Sequence, residues 1–136
     1  MANTFIRKTH REIGNTLTQI DSYTVGGSAK ATVIGLSVAN TSASSVDVDV
    51  TVNDGSNDFY LIKNCPLPSG STVVVVGGDQ KLVLEPNDLI KAKSSSATNK
   101  IDVIMSILEI TYGIFRNTTK IKSIIKCRYR PRFCIT

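Results

Sequence analysis

Tryptophan is missing from this 136-residue chain, histidine occurs once, and the aromatic set is four Phe and four Tyr. These are the side chains on which most acid–base, metal and sugar-stacking sites depend, so the composition argues against an enzyme and no cofactor is expected. Cysteine is nearly as sparse. Cys65, Cys127 and Cys134 are an odd number without a C-x-x-C pair, which excludes a disulfide framework or a four-ligand zinc site within one chain. Free, mostly buried thiols are expected, with an inter-chain disulfide or a metal shared in an oligomer as the remaining option.

Long apolar runs are also lacking. A helical membrane span needs about 18 consecutive apolar residues, whereas Val73 to Val76 is short and Ile101 to Ile110 is broken by Asp102, Ser106 and Glu109. The opening MANTFIRKTH has no apolar stretch behind its cations, so neither a secretion signal nor a membrane partner is expected, and assembly in a cytoplasm is.

What the chain does have is β-branched alternation. In Val46-Asp47-Val48-Asp49-Val50-Thr51-Val52-Asn53 the valines take one parity and the polar residues the other, the period of a half-buried strand, with Val46, Val48, Val50 and Val52 inward. Further strands are predicted at Ser22–Val25, Ala31–Ala39, Phe59–Asn64, Thr72–Val76, Gln80–Leu84, Asp88–Lys93 and Ile101–Ile110. Gly, Asn, Asp, Ser and Pro clusters punctuate them, as in Asn53-Asp54-Gly55 and Pro86-Asn87-Asp88. The fold class expected is all-β, an antiparallel β-sandwich of jelly-roll or immunoglobulin-like kind, with extended N-terminal and C-terminal arms.

That reading divides the chain into an N-terminal arm (1–20), a sandwich domain (21–111) and a basic C-terminal arm (112–136). In the first arm Phe5, Ile6, Ile13 and Leu17 are too widely spaced to make a core of their own. In the second, Ile121, Ile124, Ile125 and Phe133 stand among cations. Both sets are candidate assembly contacts, reaching from their own domain to a neighbour. The strand Ile101–Ile110 is apolar at both parities, Val103, Met105 and Ile107 against Ile104, Leu108 and Ile110. A second covering surface is therefore expected: the N-terminal arm, the C-terminal arm or another subunit, with the subunit favoured.

Charge is unevenly distributed. Residues 1–30 carry a net +2, residues 31–112 a net −4, and Arg116, Lys120, Lys122, Lys126, Arg128, Arg130 and Arg132, unopposed by any acid, give residues 113–136 a net +7. Such a tail, with Tyr129 and Phe133 interleaved, suits a nucleic-acid contact, but docking on an acidic protein surface accounts for it as well, and nucleic acid is the less favoured partner.

Other motifs reduce to turns. Asn53 to Asp58 is oxygen-rich like a calcium loop but has no bidentate Glu at the required distance, and Gly77-Gly78-Asp79 has no helix after it to cradle a phosphate. Both are predicted to be hairpin turns. The lone His10 is expected at the surface, and Asp47 and Asp49 on the solvent face of their strand.

The order Tyr23-Thr24-Val25, Thr32 to Thr41, Val46 to Val50, Phe59 to Asn64, Pro66-Leu67-Pro68, Gly77 to Lys81 and Ile107 to Ile110 resembles small virion structural proteins of tailed bacteriophages, many of them from cyanophages and other marine phages. Phe5-Ile6-Arg7-Lys8 and Glu12-Ile13-Gly14 extend the likeness, which covers about residues 3–111 and departs at the tail from Tyr112 onward. The resemblance implies a β-sandwich building block of a particle, at the capsid, neck or tail, that works without catalysis and has further copies of itself and other virion proteins as partners. Two other functions stand against it: a receptor- or glycan-binding module, and a nucleic-acid contact through the basic tail.

Overall fold

The computed structural model describes residues 2–111, which form nine strands: β1 (Ala2–Ile13), β2 (Thr18–Gln19), β3 (Ala29–Asn40), β4 (Val46–Asn53), β5 (Asp58–Leu67), β6 (Thr72–Val76), β7 (Leu82–Leu84), β8 (Leu89–Ser94) and β9 (Ile101–Thr111). One sheet runs β1-β9-β3-β6 with β7 also paired to β3, and the other runs β2-β8-β4-β5. Every pairing is antiparallel. The two inner faces meet in one core, where Val33, Val38, Met105 and Ile107 of the first sheet and Val48, Val50, Ile90 and Ala92 of the second are fully buried. This is the predicted sandwich, and its apolar alternation is the physical reason the sheets stack.

The N-terminal segment departs from the expected arm. Residues 2–13 are an edge strand of the first sheet, paired with β9 from Ala2 opposite Thr111 to Ile13 opposite Ile101. Ile13 and Ile20 lie in the core, Ile6 packs against it and Leu17 is half-buried. Of the four N-terminal contacts named from sequence, only Phe5 stands free on the surface. The inward side of β1 is closed by amphipathic chains: Lys8 lays its ammonium 5.7 Å from the centre of the Tyr23 ring and 3.7 Å from the Asp21 carboxylate. His10 is half-buried, its Nδ1 accepting the Asp21 N–H at 3.1 Å, so the expected surface histidine instead ties β1 to the 3-10 turn at Ile20–Ser22. That turn occupies the start of the predicted strand Ser22–Val25.

The Gly77-Gly78 segment is not a hairpin. β6 pairs with Leu36 to Ala39 and β7 with Ala31 to Val33, so the two lie end to end along β3 and the loop is an excursion from one interrupted edge. Gly78 takes a positive φ of 61° there. The predicted turn between β4 and β5 is present, with Gly55 at φ 99°. Asn53 Oδ1 accepts the Gly55 N–H, and Asp54 Oδ1 accepts those of Asn57 and Ser56, which holds the Asp54 carboxyl below its usual range. The oxygens that suggested a cation loop are thus engaged by the loop's own backbone.

Asp49 is likewise displaced from its expected position. It is 4% exposed, whereas Asp47 is exposed as predicted. Register shifts on either side of Val50 and a positive φ at Asn64 fold β5 around the carboxylate, which accepts the Asn64 N–H at 2.6 Å and pairs with Lys93 at 3.4 Å. A buried carboxylate is tolerated because both partners stay with it.

Candidate assembly surface

The outward parity of the first sheet carries four of the six large exposed apolar side chains among the described residues. Two cross-strand rows define it. In one, Phe5 of β1 lies opposite Leu108 of β9, Leu108 opposite Thr32 of β3, and Thr32 opposite Val83 of β7. In the other, Thr9, Ile104, Ser37 and Val74 line up in the same way. Phe5 is 77% exposed, Val74 66%, Val83 60% and Ile104 52%, with Leu108 and Ile110 half-buried beside them. The double-sided apolar pattern read in Ile101–Ile110 is therefore real: its inward set packs the core, and its outward set has no cover among the described residues.

Edges form the second element. β1 is 12 residues long, about twice the usual strand, and its side away from β9 is unpaired among the described residues. β5, with 10 residues, is the corresponding edge of the second sheet and exposes Phe59 and Tyr60, the latter under the Lys63 ammonium at 4.8 Å. An open edge is a row of backbone donors and acceptors ready to pair with another chain. No sequence signal marked β1 as such an edge, because Lys8 and His10 take positions where apolar alternation would have shown it.

No group of three His, Cys, Asp or Glu is placed to hold a metal among the described residues, and no helix there is long and apolar enough to cross a membrane. Cys65 is a half-buried free thiol. The other contacts predicted from sequence, Ile121, Ile124, Ile125 and Phe133, and the cations Arg116, Lys120, Lys122, Lys126, Arg128, Arg130 and Arg132, lie outside the described residues.

A polar contact ties the connector between the 3-10 turn and β3 to the first sheet. The buried Tyr23 hydroxyl donates to Glu109 Oε2 at 2.5 Å. Burial, that hydrogen bond and the carboxylate's charge all push the phenol's pKa up. In the unfolded chain a tyrosine ionises near pH 10, so this contact contributes its full stability below about pH 10 and loses it as pH rises further. Tyr23→Phe is expected to cost about 1–3 kcal/mol at neutral pH and to flatten the alkaline fall in melting temperature. Parallel melts of both proteins from pH 7 to 12 check this, and identical pH profiles would refute it.

No protein-family profile matches the chain, and no curated protein matches it. Among solved structures it is similar to a subunit of the disulfide-linked pili of Bacillus endospore appendages, with a TM-score of 0.50 at 12% identity, over 82% of this chain and 88% of that one. It also aligns with a chain of infectious bursal disease virus (TM-score 0.43, 10% identity, 84% of this chain and 34% of that one). A pentameric capsid protein from metagenomic phage sequences aligns with a TM-score of 0.34 at 18% identity, over 76% of this chain and 60% of that one. The chain thus spans about a third of the bursal-virus chain and 60% of the phage capsid chain. The class defined by fold and surface is an antiparallel β-sandwich whose edges and apolar outer face have no partner among the described residues.

Proposed function

We propose that this protein is a non-enzymatic structural subunit of a virion, of the tailed-bacteriophage kind, and that it acts by associating with copies of itself and with other particle proteins. The observation that carries the reading is the 12-residue β1, integral to the sandwich on one side and unpaired on the other among the described residues. Backbone pairing along such an edge supplies affinity without a chemical site. Arg7 and Arg11 on β1 disfavour pairing of two β1 edges with each other and favour the net-negative body, residues 31–112, of a neighbour. The sequence resemblance over residues 3–111 supports the particle role, and a sandwich that polymerises, as in the Bacillus pilus, is the same mode of use.

The test is physical association. The chain should copurify with particles in many copies, and the isolated protein should gain mass with concentration in light scattering. A protein missing from particles and monomeric at every concentration would overturn the reading. A glycan- or receptor-binding module is the second reading, favoured by the exposed Phe59 and Tyr60 on β5. Glycan arrays separate the two.

A further inference from the structure

Two opposite charges, on opposite outer faces of the sandwich, lack a counter-charge among the described residues. The negative one sits in a recess. Asn15, Asp47, Asp49, Asn64 and Lys93 line a cavity of about 280 Å³ on the outer side of the second sheet. Backbone contacts fix its walls. Ser94 donates its N–H to the Gly14 carbonyl at 2.8 Å, and Asp47 both donates its N–H to Ser95 Oγ at 3.0 Å and accepts the Ser95 N–H at 2.8 Å. Asp49 and Lys93 neutralise each other at 3.4 Å. The exposed Asp47 carboxylate pairs with no cation among the described residues, so the recess carries one uncompensated negative charge.

The positive charge is Arg7. It stands on the outward parity of β1, opposite Ser106 of β9, and is exposed. Arg11 has the Glu12 carboxylate at 4.0 Å, whereas Arg7 faces no carboxylate or aromatic ring among the described residues. We propose that Arg7 of one copy seats in the Asp47 recess of the next. This deepens the self-association read above and rests on it. The recess is smaller than the roughly 300 Å³ at which pockets for small molecules begin, and it suits the end of one long side chain. A guanidinium presents a fork of N–H donors to the Asp47 carboxylate, with the amide oxygens of Asn15 and Asn64 as further acceptors. A copy's own Arg7 faces away from its own recess, because the two lie on the outer sides of different sheets. Asn64 belongs to β5, so the seat also brings β1 to the edge strand of the second sheet. Each copy carries both halves of the contact at separate places, which builds a ring or an open chain and not a two-fold dimer.

Sedimentation velocity of the full chain over a range of concentrations tests the pairing. Arg7→Glu and Asp47→Arg should each weaken self-association about tenfold or more, with little change in melting temperature, since both positions are exposed. An equimolar mixture of the two variants should regain association, at least as mixed pairs, because the intact arginine of one meets the intact carboxylate of the other. If either reversal fails to fold, Arg7→Gln and Asp47→Asn carry the comparison of single variants. Parental association in both variants would overturn the pairing and leave the self-association reading standing. So would loss in only one of them, which would assign its partner group elsewhere, and so would a mixture as dissociated as its components. A parent that is monomeric at every concentration would overturn the reading itself, and the pairing with it.

Discussion

Deleting residues 1–20 is expected to abolish cooperative folding of the sandwich. The segment is a strand of the first sheet, and its removal strips β9 of a partner along the whole stretch from Thr111 to Ile101. Two side chains that are at most 1% exposed, Ile13 and Ile20, go with it. Each such loss costs about 2–5 kcal/mol once the vacated space is counted, against a total stability of about 5–15 kcal/mol for a domain of this size. The Lys8 cover over Tyr23 and the His10 link to the 3-10 turn are lost as well. The truncated chain should give no sigmoidal melt by circular dichroism and should accumulate as aggregate. A detachable arm would behave in the opposite way, leaving the melt nearly unchanged, and that outcome would show that the pairing of β1 with β9 contributes little.

The reason the sequence did not show this lies in β1 itself. Strand recognition depends on apolar side chains at one parity, and β1 presents Thr4, Ile6, Lys8 and His10 inward, only one of which is apolar. An edge strand needs less apolar surface than a central one, because its inner face lies at the margin of the core, where a lysine stem covers as well as a leucine. A register shift between His10 and Ile13 then breaks the period just where Ile13 enters the core. The central strands were legible for the converse reason. β4 has the residue bounds predicted for it, and β9 differs by one residue at its end, because their inner faces meet the other sheet directly and favour apolar groups.

The candidate surface was half legible. Two-sided apolarity in Ile101–Ile110 announced an outer face needing cover, and the structure places its outward set, Ile104, Leu108 and Ile110, on that face. That Phe5, Val74 and Val83 join the same face was not readable, since it depends on cross-strand register between segments far apart in sequence. The collinear arrangement of β6 and β7 was hidden for the same reason. A Gly-Gly-Asp turn signal reports that the chain bends, and only the partner strand decides whether it returns along itself or rejoins the same edge.

Replacing Val48 with Asp is expected to have the largest effect of any single substitution in β4. Val48 is fully buried on the inner face, between the two sheets, with Cys65 opposite it on β5 and Ser94 on β8. Its neighbour Asp49 shows what a carboxylate needs in order to be buried in this strand: a backbone N–H at 2.6 Å and a lysine ammonium at 3.4 Å, both reached from the outer side. Neither is available at Val48, whose side chain points the other way along the pleat into a layer made mostly of apolar side chains. An unpaired carboxylate there costs several kcal/mol, or takes up a proton and loses part of its stability instead. Val48→Asp should therefore be found in the insoluble fraction on expression, whereas Asp47→Val, at an exposed position of the same strand, should stay soluble and fold. The pair separates inner face from outer within two residues. A soluble Val48→Asp protein with an unchanged melting temperature would mean that the register of β4 is wrong by one residue, which would carry every side chain of the strand to the opposite face.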